Sequence, residues 1–363
     1  MGSKQQLNYI TGLKGLSCFL IMAGHFSGVF KYLDSCNFNW NLFRFFVESP
    51  FGLILNESFW LILFYVTSGF LLSLGKIDDL RALILKIIKR FLRLGIPVFF
   101  ACAIIYVLIL CIGVHCGETV SLFENAWFQS SFRAPLTLAG VFLSPFDVLL
   151  FGKCTFNSPY WVLRDMFYNS VFIYFCLYLQ AKTEKIRFAK YIIVYAFLLY
   201  GLMTSPITCS FAMGMAIAQH DDLIKHIFTP LRLLALPCLA IVVAMFFIHP
   251  VFYHEILIFG AVLVTVPYIG FAEQLLSCRP ARFLGQISFG IYSFHWPVFC
   301  SLGAWLLLFL TSKTGIWTAF AIASFVSVAF TFLLSYVYNI TAEKFSTKLV
   351  DRITGSISHF LLR

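Results

Sequence analysis

Charge is scarce in this chain. Only 12% of its 363 residues are Asp, Glu, Lys or Arg, against roughly 25% in a soluble globular domain. That excludes a disordered tail and a coiled coil, which depend on charged residues. The 11 cysteines are scattered, with no CxxC pair and no zinc-ligand spacing, so neither a secreted disulfide scaffold nor a metal site is indicated. Cys111 and Cys116 could pair in an oxidising compartment. There is no internal repeat of fixed period and no low-complexity segment. Acidic residues are the rarer sign, 16 against 26 basic ones. Such a balance often points to nucleic acid, but here the basic residues sit in short segments between apolar runs, which is the pattern of membrane topology. What the chain does contain is apolar surface: 60% of residues are hydrophobic and the mean hydropathy is +0.88. A water-soluble globule could not hide this much, so the chain reads as an all-α, polytopic helix bundle with lipid as its main solvent.

A helix needs about 20 apolar residues to cross the hydrocarbon core. About ten candidate spans follow: 7–30, 51–74, 94–113, 159–180, 188–203, 206–219, 231–248, 252–271, 283–310 and 315–338. No small-residue cleavage site follows the first, so it reads as a retained helix. The connection 114–158 holds an apolar stretch, Leu136 to Phe151, broken by Pro145 and Asp147, which is expected to form a re-entrant or interfacial piece against protein. With both termini cytoplasmic, 19 of the 26 Lys and Arg fall inside; only Lys31, Arg44, Arg133, Lys153 and Lys313 fall outside. This is the expected asymmetry. Residues 1–345 then form the membrane domain. Residues 346–363 form a cytoplasmic amphipathic tail, where Leu349, Ile353 and Ile357 share a face.

Polar groups inside spans are the informative anomaly, because a Lys or Arg at a span centre costs roughly 2.5–3.5 kcal/mol on insertion scales. Four places stand out. Lys14 and His25 project from one face of the first span, about 16 Å apart; the plain alternative is a snorkelling Lys14 and a satisfied core histidine. Arg90 and Arg93 share a face and could grip a phosphate, or serve as a positive-inside anchor. Arg164 and Asp165, after Trp161, are adjacent and point about 100° apart, so they are expected to engage other helices rather than each other. Ser288, Tyr292 and His295 form one polar stripe, beside a carbonyl freed by Pro297; helix-to-helix glue and substrate contact both fit it.

In these residues the chain resembles the acyltransferase-3 family of integral membrane acyltransferases. Lys14-x10-His25 is similar to their Arg/Lys-x10-His signature, and Phe64-Tyr65-Val66-Thr67-Ser68-Gly69-Phe70-Leu71-Leu72 to their span-two segment. Arg90-Phe91-Leu92-Arg93-Leu94 with Pro97 resembles their RxxR entry to span three. Trp161-Val162-Leu163-Arg164-Asp165 resembles a variant motif, and Phe283 to Tyr292 with His295 and Pro297 resembles a late-span segment. The chain departs at Thr11, usually acidic, at Lys14, usually Arg, and at Met166, often Glu. Lys14 keeps the charge without the planar fork.

The resemblance implies transfer of an acyl group, usually acetyl, from cytoplasmic acyl-CoA to the hydroxyl of a cell-surface or lipid-linked glycan, in a bacterial cytoplasmic membrane, with no metal. CoA phosphates would meet Arg90 and Arg93, and the pantetheine arm would pass Lys14. The thioester would reach His25, with Asp165 orienting it. Trp161, Arg164, Ser288, Tyr292 and His295 would line the acceptor side. A transporter or flippase would use intramembrane charges in the same way and is the competing reading.

Overall fold

A computed structural model describes residues 4–33, 50–248 and 252–361. Cys36, Arg44 and Arg363 lie outside the described residues, as does the Lys31 side chain. Among the described residues the chain is helical without a strand. The helices are α1 (Lys4–Leu33), α2 (Glu57–Leu72), α3 (Leu80–Ile112), α4 (Leu138–Phe151), α5 (Trp161–Lys182), α6 (Ala189–Thr204) and α7 (Pro206–Gln219). Then follow α8 (Asp221–Phe228), α9 (Ala235–Ile248), α10 (Phe252–Thr265), α11 (Gly270–Ser277), α12 (Arg279–Val298), α13 (Ala304–Thr314), α14 (Ile316–Tyr338) and α15 (Lys344–Leu361). Large apolar side chains such as Leu110, Phe142, Met203, Leu233 and Phe325 stand exposed, as expected of a surface solvated by lipid.

Four helical stretches are long and apolar enough to cross a membrane: Asn8–Val29, Leu80–Ile112, Arg279–Thr314 and Ile316–Ser358. Two sharply bent pairs, α8 with α9 and α10 with α11, raise this to six if each is one span. Several sequence-derived spans correspond to shorter helices. α2 and α6 have 16 residues each, about 24 Å, short of the roughly 30 Å hydrocarbon core.

One segment differs from the sequence reading. The piece around Pro145 is a continuous helix, α4, rather than a broken one. Pro145 removes the N–H that would bond the Val141 carbonyl, and the Ser144 hydroxyl donates to that carbonyl at 2.8 Å instead. At the end of the chain α14 runs through a π turn, Asn339–Glu343, into α15. α15 lies against α3, with Lys89 Nζ 2.9 Å from Asp351 and Phe345 edge-on to Phe100. The ten described cysteines are free thiols. Cys111 is exposed and Cys116 buried, so the two do not pair.

α1 is the axis of the fold, and it packs along α12. A Cβ added to Gly15 would stand 2.3 Å from the Gly285 nitrogen, and one on Gly285 2.1 Å from the Thr11 carbonyl oxygen. Only glycines allow two backbones this close, as is usual where membrane helices cross. From there the helices run parallel in one register. Cys18 Sγ donates to the Ser288 carbonyl at 3.1 Å, and His25 meets His295, each pair 270 positions apart, as are Gly15 and Gly285. The steps 15, 18, 25 and 285, 288, 295 are those of a heptad seam.

Gly285→Val forces this seam apart, and overpacking of that kind destabilises by about 1–3 kcal/mol. The thermal midpoint of the detergent-purified protein is expected to fall, whereas Gly355→Ala, where an added Cβ meets open space, leaves it unchanged or higher.

Candidate active site

The seam ends in a pair of imidazoles. His25 Nδ1 and His295 Nε2 are 2.7 Å apart, with His295 fully buried and His25 9% exposed. The proton order follows from the far end. His295 Nδ1 lies 2.8 Å from the Ile291 carbonyl, which can only accept, so Nδ1 carries the proton. Neutral His295 then offers a lone pair at Nε2, and His25 donates to it from Nδ1. His25 Nε2 keeps a lone pair and makes no other hydrogen bond among the described residues. A neutral imidazole fixed in this tautomer has a ring nitrogen able to accept a proton.

Two indoles enclose the pair. Trp127, from the single helical turn Ala126–Gln129, stacks on Trp296 of α12 at 3.9 Å. Both stand edge-on to His25, at 5.2 and 5.6 Å between ring centres. Their N–H groups are taken by hydroxyls: Trp296 donates to Ser131 at 2.9 Å and Trp127 to Ser158 at 3.0 Å. Pro297 bends no open hole into α12. It frees the Ser293 carbonyl, and Asn157 donates its amide N–H there at 3.2 Å. The Tyr292 hydroxyl donates to the Pro159 carbonyl. Asn157 and Tyr292 thus clamp the 158–160 turn against α12, and with it Ser158 and Trp127.

The acyltransferase domain of the acyltransferase-3 family matches residues 7–336, nearly the whole chain. The chain belongs to this family. Comparison with curated proteins and with solved structures gives no match. The protein is accordingly a membrane acyltransferase with an all-helical, membrane-embedded body.

Within this acyltransferase the residues singled out from the sequence fall into three groups. His25 and His295 meet at the indole end, while the Tyr292 hydroxyl bonds the Pro159 carbonyl of the neighbouring turn. Lys14 lies half-buried on α1, without a hydrogen bond or ion pair among the described residues, and near enough to Arg90 for their charges to repel. Arg90 Nε donates to Ser170 Oγ of α5 at 3.0 Å, while Arg93 is exposed. α3 begins at Leu80, so this pair lies well inside the helix rather than at its entry. The third group sits at the rim. Trp161 is 44% exposed, and Arg164 pairs with Asp165 at 3.2 Å.

That last pairing corrects the expectation that Arg164 and Asp165 engage other helices. Both side chains are partly solvated, and the long guanidinium arm folds back over one residue. His25 Nδ1 is bonded to His295, and Asp165, expected to orient His25, pairs with Arg164 and lies near Tyr65. Ser288 also turns inward on its own helix, donating to the Gly285 carbonyl at 2.8 Å.

Sequence reasoning passed over Asn157, Trp127 and Ser131. A lone Asn two residues before Pro159 reads as turn chemistry, and no local pattern announces a partner for the Ser293 carbonyl over 136 positions away. Among the described residues no cluster of three His, Cys, Asp or Glu could hold a metal ion. Burial pushes the thiol of Cys154, in the connection before α5, up to about 11, which disfavours its thiolate.

Asn157→Ala leaves the Ser293 carbonyl buried and unpaired, a loss of about 1–3 kcal/mol. The expected result is a lower thermal midpoint together with reduced acyl transfer.

Proposed function

We propose that the protein transfers an acyl group, acetyl in the simplest case, from cytoplasmic acyl-CoA to a hydroxyl of a cell-surface or lipid-linked glycan. His25 is the general base. The observation that carries this reading is the 2.7 Å bond from His25 to His295, which leaves the His25 Nε2 lone pair free. As the acceptor oxygen attacks the thioester carbonyl, its proton passes to His25 Nε2. The C–S bond then breaks, and the leaving thiolate takes the proton back from the imidazolium. His295 positions the ring and stabilises the imidazolium through its own bond to the Ile291 carbonyl.

The ends of the bundle favour a donor path across it. α2, α5 and α7 finish, and α6 begins, around a cavity of about 550 Å3 lined by Lys76, Arg187, Lys190, Tyr191 and Gln180, with Asp78 and Glu184 among the other lining residues. Its three cations outnumber its two carboxylates, and with the aromatic ring they suit a phosphorylated nucleotide. Ser170, which holds Arg90, lies ten residues before Gln180 on α5, about 15 Å along the helix. A pantetheine arm from that cavity passes Arg90 and Lys14 on its way to His25. This end is taken as cytoplasmic, in a map of ten crossings with both termini inside. The parallel run of α1 and α12 supports that topology, because the first and ninth spans of such a map cross in the same direction.

His25→Ala is expected to abolish label transfer from acetyl-CoA to a cell-envelope extract while the protein still inserts and elutes as a folded species. His295→Gln is expected to lower kcat by about 10²–10⁴, the range of a positioned acid–base group, with little change in KM for acetyl-CoA. Transfer by His25→Ala at the parent rate refutes the mechanism. Arg93→Ala is expected to raise KM for acetyl-CoA more than it lowers kcat, measured by initial rates over a donor titration.

A further inference from the structure

The indole wall has a second side. A cavity of about 210 Å3 opens beyond Trp127, lined among others by Ser130, Phe132, Arg133, Thr155 and Ser158. Drug-sized ligand sites run to about 300–1,000 Å3, so this one has room for a single sugar ring and not a chain of them. Trp296 covers one face of the Trp127 ring at 3.9 Å, yet Trp127 is still 42% exposed. Trp127 itself lines the cavity, next to His25 at 5.2 Å between ring centres. An indole face of this kind receives the C–H face of a pyranose, and the surrounding hydroxyls receive its polar edge.

The cavity holds one charge, Arg133. Nearby cations are neutralised: Lys153 pairs with Asp147 at 2.9 Å and Arg164 with Asp165 at 3.2 Å. Arg133 has no ion pair or hydrogen bond among the described residues. Its position is held at some strain. Phe132, immediately before it, has φ 61°, the one non-glycine residue in the left-handed region among the described residues. A bulky side chain in that region is uncommon, and such strain collects at ligand clamps.

We propose that this cavity is the acceptor subsite and that it selects an acidic sugar, with Trp127 as the stacking platform and Arg133 as the anion partner. The inference rests on the acyl-transfer reading and adds to it the class of acceptor. A carboxylate or a phosphate on the sugar meets Arg133 by the same bidentate chemistry, while the hydroxyl to be acylated points past the Trp127 edge toward His25.

The test is binding to the purified full-length protein, read by quenching of tryptophan fluorescence, with galacturonate, a hexose 6-phosphate and neutral galactose as probes. One of the two acids is expected to bind about tenfold more tightly than the neutral sugar, the worth of a charge-assisted hydrogen bond. Whichever acid binds better identifies the anionic group. Arg133→Gln is expected to erase the preference and Arg133→Lys to keep part of it, while Trp127→Ala weakens all three probes. Equal binding of acid and neutral sugars, or an unchanged preference in Arg133→Gln, overturns the proposal. Label transfer from acetyl-CoA to envelope extract is measured in parallel. If transfer persists without the preference, the acidic subsite alone falls. If transfer is absent from the parent protein, the acyl-transfer reading falls, and the subsite with it.

Discussion

The close crossing of α1 and α12 is the constraint on which the candidate active site depends. Two glycines let the backbones touch at Gly15 and Gly285, and the parallel register set there is carried ten residues along both helices to His25 and His295. Neither imidazole can find the other without that register: a slip of one residue turns a side chain about 100° away. Small residues at one end thus determine proton placement at the other. The plain reading of the late-span polar stripe as glue is partly right, since Ser288 and Tyr292 spend their hydroxyls on backbone carbonyls. Only His295 of that stripe reaches across to another helix with its side chain, to the His25 ring.

Prolines inside helices recur, and at two of them the freed carbonyl has an identifiable partner. Ser144 closes the gap above Pro145 from its own helix. Asn157 closes the one above Pro297 from another segment, and so converts a helix defect into a tether for the turn that carries Ser158. In an apolar medium an unpaired carbonyl is expensive, which makes these contacts specific rather than incidental. The tether explains how a connection outside the long helices can hold an indole against a buried histidine.

Much of the fold could be read from apolar run lengths. α1, α5, α6 and α7 fall within a few residues of the expected spans, because each run is bounded by charge, proline or turn residues. The runs said less about continuity. Pro145 looks like a break until the Ser144 hydroxyl is placed, and α14 passes into α15 through a π turn that no residue announces. At the site, the eleven-residue spacing of Lys14 and His25 put both on one face correctly, since helical geometry is local. Partnerships across helices were not legible. The imidazole pair joins residues 270 positions apart, and Arg164 turned to its neighbour Asp165 because a solvated rim removes the pressure to find a partner elsewhere.

The account stands on which nitrogen of His25 carries the proton. The direct measurement is 15N NMR of the histidine-labelled protein in detergent at neutral pH, with His25 and His295 assigned by substitution. The account requires a proton on His25 Nδ1, a coupling across the hydrogen bond to His295 Nε2, and a His25 Nε2 resonance at the shift of an unprotonated imidazole nitrogen. A proton on His25 Nε2, or no coupling between the two rings, contradicts it.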